Sequence, residues 1–113
     1  MSMGDENWQK AKRDPVKYRY DVLYWNFIHA MAEIGYLGAE KYGDFNYQQP
    51  GLTREKSPVN HIANHLGSYI DNHPYDHPEV GKERKYHLAA IAFNAMIEWY
   101  HECHKDVSKD NKT

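Results

Sequence analysis

The chain has 113 residues, a formal charge of −2 and an isoelectric point near 6.4. That size means one domain, and that charge excludes a bulk electrostatic pull toward nucleic acid or an acidic membrane. A single cysteine, Cys103, excludes an internal disulfide framework and a cysteine-based zinc site, and points to a reducing, cytoplasmic setting.

Residues 1–14 read as a polar N-terminal arm with Trp8 as its anchor and without the apolar stretch of a secretory signal. A single helical domain is expected over 15–105, followed by a flexible charged tail, 106–113. Asp14-Pro15 pairs an N-capping side chain with a proline at the first helical position, which predicts a helix start there. Tyr18, Val22, Trp25, Ile28 or His29, Ala32 and Leu37 then recur at helical spacing, and Leu23, Phe27, Met31 and Ile34 form a second apolar row. Two apolar faces on one helix exceed what a single neighbour in a small domain buries, so the helix is expected to serve a bundle core or a dimer. Gly35 and Gly38 could admit a close helix contact. Gly43 suits the residue just after the helix, where glycine enters positive φ without a steric cost.

The helix end carries Gly38-Ala39-Glu40-Lys41-Tyr42-Gly43-Asp44-Phe45-Asn46-Tyr47, which packs acids, a cation, an amide and phenols into ten residues. A loop comes next, over 45–56. Ser57-Pro58 repeats the capping logic and opens a second helix, about 58–72, with Val59, Ile62, Leu66 and Tyr69 on one stripe. His61 and His65, four apart, share a face, but Ile62 stands where the zinc-protease motif needs Glu. Residues 71–79 form a proline-punctuated loop rich in acids and histidines. A third helix is expected over 82–105, its core Tyr86, Leu88, Ala89, Ile91, Ala92, Ala95, Met96 and Trp99. No strand and no membrane span is predicted. The fold class is all-α, a small bundle of three principal helices completed by oligomerisation.

Ten tyrosines and eight histidines suit a polar small-molecule site. Glu33, Glu40 and Asp44 share a helix face and offer the hard oxygen ligands that Mg²⁺ takes. His87 and Asn94, two helical turns apart on an apolar face, must be paired there by the protein or by a ligand. His101-Glu102-Cys103-His104 reads as a surface cluster near the chain end. No Walker loop, dinucleotide fingerprint or nucleophile elbow is present.

The order of these motifs, with Asn64-His65-Leu66, Asp76-x-Pro78-Glu79-x-Gly81, His87-Leu88 and Asn94 coming after the Gly38–Tyr47 block, resembles a known family. It is similar to the dATP/dGTP diphosphohydrolase-like proteins of phages and bacteria, near the all-α, MazG-like nucleotide pyrophosphohydrolases. The resemblance runs from about Ala30 to Glu98, and carries over Gly38, Lys41, Tyr42, Asn46, His65, Asp76, Glu79, His87 and Asn94. It implies helical bundles built from dimers or tetramers, with Mg²⁺ or Mn²⁺ on helix carboxylates. It also implies hydrolysis of nucleoside triphosphates to monophosphate and pyrophosphate, in a bacterial host cell if the chain is phage-encoded.

The roles expected on that basis are specific. Glu33, Glu40, Asp44, Asp76 and Glu79 are the pool of metal ligands, and Glu40, Asp44 and His65 the catalytic candidates. Lys41 would neutralise phosphate charge, while Tyr42 or Tyr47 stacks on the base. Asn46, His87 and Asn94 complete the substrate contacts. The partners expected are a nucleotide and a second copy of the chain, with no membrane and no DNA or RNA polymer. The chain departs from the superfamily in having no helical Glu-x-x-Glu or Glu-x-x-Asp, and in carrying Ala90 where the short family often has a second histidine. Those departures leave an alternative: a non-catalytic phage sponge that sequesters a nucleotide immune signal and needs no metal.

Overall fold

Ser57 and Pro58 do what their order predicts. The Ser57 hydroxyl accepts from the Asn60 N–H at 3.1 Å, Pro58 is buried at the first helical position, and a helix runs from there to Ile70. In the computed structural model, which describes residues 12–112 and side chains as far as Lys105, this is the second of three helices. We label them α1 (Trp25–Tyr42), α2 (Pro58–Ile70) and α3 (Tyr86–Lys112). Three short 3-10 turns, Tyr20–Val22, Asn46–Gln48 and Arg54–Lys56, punctuate the connections, and the described residues contain no strand beyond an isolated bridge between His77 and Gly81. The protein is all-α.

Asp14-Pro15 carries the same signal as Ser57-Pro58 and forms no helix: α1 begins ten residues later, at Trp25. The difference lies in the residues beyond the cap. Val16, Tyr18, Tyr20, Val22 and Tyr24 alternate along the chain, all are β-branched or aromatic, and all are exposed, Tyr24 at 72%. Such residues are weak helix formers, and a cap cannot nucleate a helix whose apolar side has nothing to pack on. The arm expected over 1–14 lies outside the described residues except for 12–14, which carry no regular structure. At the other end, the backbone stays helical to Lys112, past the expected stop near Lys105.

α2 runs antiparallel to α3, with Tyr69 beside Arg84 and His65 beside His87. α1 leans on the same face of α3 through Ile34, which is buried together with Ala89 and Ala90, while Ala30, Tyr75, Tyr86 and Phe93 pack around them. The small residues of α3 permit this close approach. Gly35 completes it from α1, because a Cβ there would stand 3.0 Å from Phe93 Cε1. Gly38 meets nothing within 4 Å, so the close contact expected of the glycine pair falls to Gly35 alone. Gly43 has φ 96° and ψ 157°, conformational territory open only to glycine, and its N–H closes α1 on the Ala39 carbonyl at 2.8 Å.

The buried aliphatic core of the described residues is small, and much apolar surface stays outside it. On α2, Val59, Leu66 and Ile70 lie on one face and are exposed, Ile70 at 68%; on α3, Trp99 is exposed at 74%.

The two glycines of α1 make a paired test. Alanine gains about 1 kcal/mol of helix propensity over glycine, whereas overpacking a tight contact costs about 1–3 kcal/mol. Gly38→Ala is therefore expected to raise the melting temperature, and Gly35→Ala to leave it unchanged or lower it. Thermal unfolding followed by circular dichroism compares them directly.

Candidate functional site

The motif from Asp76 to Gly81 folds into one tight turn. Asp76 and Gly81 both take positive φ, 58° and 89°. The His77 N–H donates to the Gly81 carbonyl at 3.0 Å, and the Gly81 N–H returns to the His77 carbonyl at 2.8 Å. Inside the turn the Glu79 N–H donates to His77 Nδ1 at 3.1 Å. These bonds present Glu79 and Val80 at one wall of an open groove of about 470 Å³. The opposite wall is a single face of α1: His29, Ala32, Glu33, Tyr36 and Leu37, spaced three, four and seven apart. Two carboxylates thus share one groove with an imidazole and a phenol.

Glu33 is held from α3. The Tyr86 hydroxyl donates to Glu33 Oε1 at 3.0 Å, and that bond to a carboxylate is the leading reason the phenol is held above its ordinary range. Tyr86 also packs on Tyr75, ring centroids 6.2 Å apart. Tyr75 in turn stacks on His65 at 5.8 Å, and burial raises its own phenol.

His87, only 5% exposed, has a partner for each ring nitrogen. Its Nε2 lies 3.1 Å from the Pro74 carbonyl and its Nδ1 lies 3.0 Å from His65 Nδ1. A carbonyl only accepts, so His87 Nε2 carries a proton. With His87 a neutral imidazole, the bond between the rings is donated by His65 Nδ1–H. The free lone pair of the pair is then His65 Nε2. His65 is held below its ordinary value, first by burial and then by the nearby imidazoles of His87 and His61.

The Gly38–Tyr47 block stands apart from this groove. Glu40, Lys41, Tyr42, Asp44 and Asn46 are exposed, with Lys41 Nζ 5.1 Å from the centre of the Tyr42 ring. Glu40 is seven residues beyond Glu33, a rise of about 10 Å along α1. Tyr47 is half-buried and meets Phe93 and Tyr100 edge-on, at 6.2 and 5.8 Å. Its carbonyl lies 2.7 Å from His101 Nε2. His101 is therefore a half-buried tether for this turn rather than the surface residue its position near the chain end suggests. Asn94 Nδ2 donates to the Ala90 carbonyl at 2.9 Å, one turn back on its own helix. Asp76 is exposed, 3.9 Å from Lys82 Nζ. His29, Tyr36, Tyr75 and Tyr86 were not among the site residues expected from the sequence. His29 and Tyr36 do repeat at the spacing of Glu33 along α1, which is the signal that could have found them.

Among the described residues no three His, Cys, Asp or Glu side chains converge as a metal cluster. Glu33 and Glu79 line one groove without a third carboxylate. That donor set suits a magnesium ion that arrives with a phosphate and keeps water in its shell, rather than a cage built wholly of protein.

Fold and groove together define a small all-α domain with an acidic cleft between one face of α1 and a turn. The sequence model of the family described as dATP/dGTP diphosphohydrolase, N-terminal, matches residues 5–111, and the chain belongs to that family. No curated protein and no solved structure matches the chain. No helix among the described residues is long and apolar enough to cross a membrane.

The histidine pair gives a pH dependence with a definite sign. Folding holds His65 below its ordinary value of 6.5, so the unfolded chain takes up the proton first as the pH falls. This contribution to stability is complete above that value and is lost as the solution is acidified through it. The denaturation midpoint is expected to be lower at pH 5.5 than at pH 7.5. In His65→Asn, whose amide can still donate from the Nδ1 position but does not titrate, that difference should shrink.

Proposed function

We propose that the protein binds a purine deoxynucleoside triphosphate and hydrolyses it to the monophosphate and pyrophosphate, with Mg²⁺ or Mn²⁺. Membership of the dATP/dGTP diphosphohydrolase family carries this reading, and the pairing of Glu33 with Glu79 across one groove supports it. Those two acids would hold the ion, with Glu40, Asp44 and Asp76 the further members of the pool. When bound, the ion screens phosphate charge and polarises the phosphoryl oxygens.

The remaining work falls to the chain. A carboxylate of Glu40 or Asp44, or the free Nε2 of His65, takes a proton from the attacking water. The Lys41 ammonium neutralises charge on the phosphates. Tyr42 or Tyr47 stacks on the base, and Asn46 and Asn94 supply polar contacts to base and sugar, while His87, bonded at both ring nitrogens, acts only by holding His65. Most of this set lies beyond Glu33 along α1, so a second copy that brings its own α1 end to the groove is part of the proposal. The exposed apolar residues of α2 and α3 offer it a surface.

A second reading is favoured by one observation, the lack of a three-donor cluster among the described residues. In it the same pocket binds a nucleotide signal without cleaving it, as a phage sponge would. Incubation with dATP and dGTP, with and without Mg²⁺, followed by mass spectrometry of released and bound species, separates the two. The hydrolase releases monophosphate and pyrophosphate, and Glu33→Gln or Glu40→Gln lowers turnover by roughly 100-fold, the scale of a lost electrostatic contact to a transition state. A sponge yields intact ligand after heat denaturation, with affinity indifferent to EDTA.

Assembly has its own measurement. Light scattering at micromolar concentration is expected to give at least twice the chain mass of 13.3 kDa, and a stable monomer would remove the second copy from the proposal.

A further inference from the structure

We infer that Tyr86 is a positioning residue for Glu33: its hydroxyl fixes one carboxylate oxygen so that the other is turned to the ligand in the groove. The inference rests on the proposed function and adds to it a residue that neither the motifs nor the groove lining identifies. Its basis is the 3.0 Å bond from Tyr86 to Glu33 Oε1, which joins the start of α3 to the middle of α1. Among the described residues no other side-chain hydrogen bond joins these two helices, and Glu33 Oε2 has no partner there.

Tyr86 is itself well placed to act as the fixed member. It is the first residue of α3, its N–H bonds the Glu83 carbonyl at 3.1 Å, and its ring packs on Tyr75 and against the buried core. The hydroxyl position is therefore set by the helix start. Glu33 is the opposite case, a long side chain on an exposed helical face beside the buried Ile34. Left alone it would sweep several rotamers, and only some turn a carboxylate oxygen to the groove. The bond selects among them before any ligand arrives, and preorganisation of this kind strengthens binding without adding a contact.

A double-mutant cycle on the full chain tests this, with Tyr86→Phe, Glu33→Gln and the pair, and with dATP and dGTP plus Mg²⁺ as ligands. Tyr86→Phe keeps the ring against Tyr75 and removes only the hydroxyl. It is expected to lower kcat/KM, or nucleotide affinity if that is what the protein offers, by roughly tenfold, the usual scale of one hydrogen bond to a charged group. In the Glu33→Gln background the same change should have little further effect. General loosening of the fold would instead cost the same in both backgrounds. Equal losses in both backgrounds would overturn the positioning role and leave the proposed function intact. A parent protein that neither binds nor cleaves either nucleotide would overturn the proposed function, and the positioning role with it.

Discussion

A buried imidazole with a partner on each nitrogen is the constraint on which the rest of this structure depends. Leaving either nitrogen of His87 unsatisfied would cost about 1–3 kcal/mol, so the ring demands the Pro74 carbonyl on one side and His65 on the other. Those two bonds fasten α2 to α3 and anchor the beginning of the loop that ends in the Glu79 turn. The residue before it, Tyr86, points about 100° around the helix and reaches Glu33 on α1. Two neighbours at the head of α3 thus set both walls of the groove. His87 places the loop that carries Glu79, and Tyr86 places the acid that faces it.

Close packing is set by the same short stretch. Ala89 and Ala90 are almost wholly buried, and their small side chains let α1 approach α3 closely at Ile34. Ala90 stands where the sequence resemblance implies a second histidine, and the structure shows what alanine does there. It lies in the core with Ile34, and its carbonyl accepts from Asn94. A second imidazole at that depth would need partners that the packed apolar neighbours do not supply.

Much of the fold was legible in the sequence where local chemistry and burial agree. Ser57-Pro58 announced α2 because Pro58 also has a core to enter, and Gly43 announced the end of α1 because its backbone admits no other residue. Asp14-Pro15 was misleading for the complementary reason: the cap was there and the packing was not. The alternation from Val16 to Tyr24 was the contrary signal, and helical spacing drawn through Tyr18 and Val22 concealed it. Of the candidate site, Glu33 and Glu79 meet at the groove from positions 46 residues apart. The acids were legible as residue types, but their meeting depends on a turn closed by His77 and Gly81, which no helical period encodes. Tyr86 and His101 looked like core and surface. Their hydrogen bonds span 53 and 54 residues, and contacts of that range leave no periodic trace.

The family match covers 5–111, and so takes in both the groove and the Gly38–Tyr47 block. One chain keeps these about 10 Å or more apart, because α1 runs from Trp25 to Tyr42 and places Glu33 in its middle and Glu40, Lys41 and Asp44 at or just past its end. Bending cannot close that gap: Gly35, the weak point of the helix, is locked against Phe93. In the proposed assembly, closure comes from a second copy of the chain. The surfaces that would receive a second copy are already apolar, with Val59, Leu66 and Ile70 along α2 and Trp99 on α3. The described core is also too small to be the whole source of stability, since burial of apolar area is the main term that opposes chain entropy. In the proposed assembly, covering those residues and completing the site are therefore one event. A substitution that weakens the contact, such as Ile70→Asp, should lower stability and nucleotide affinity together, although Ile70 lies outside the groove.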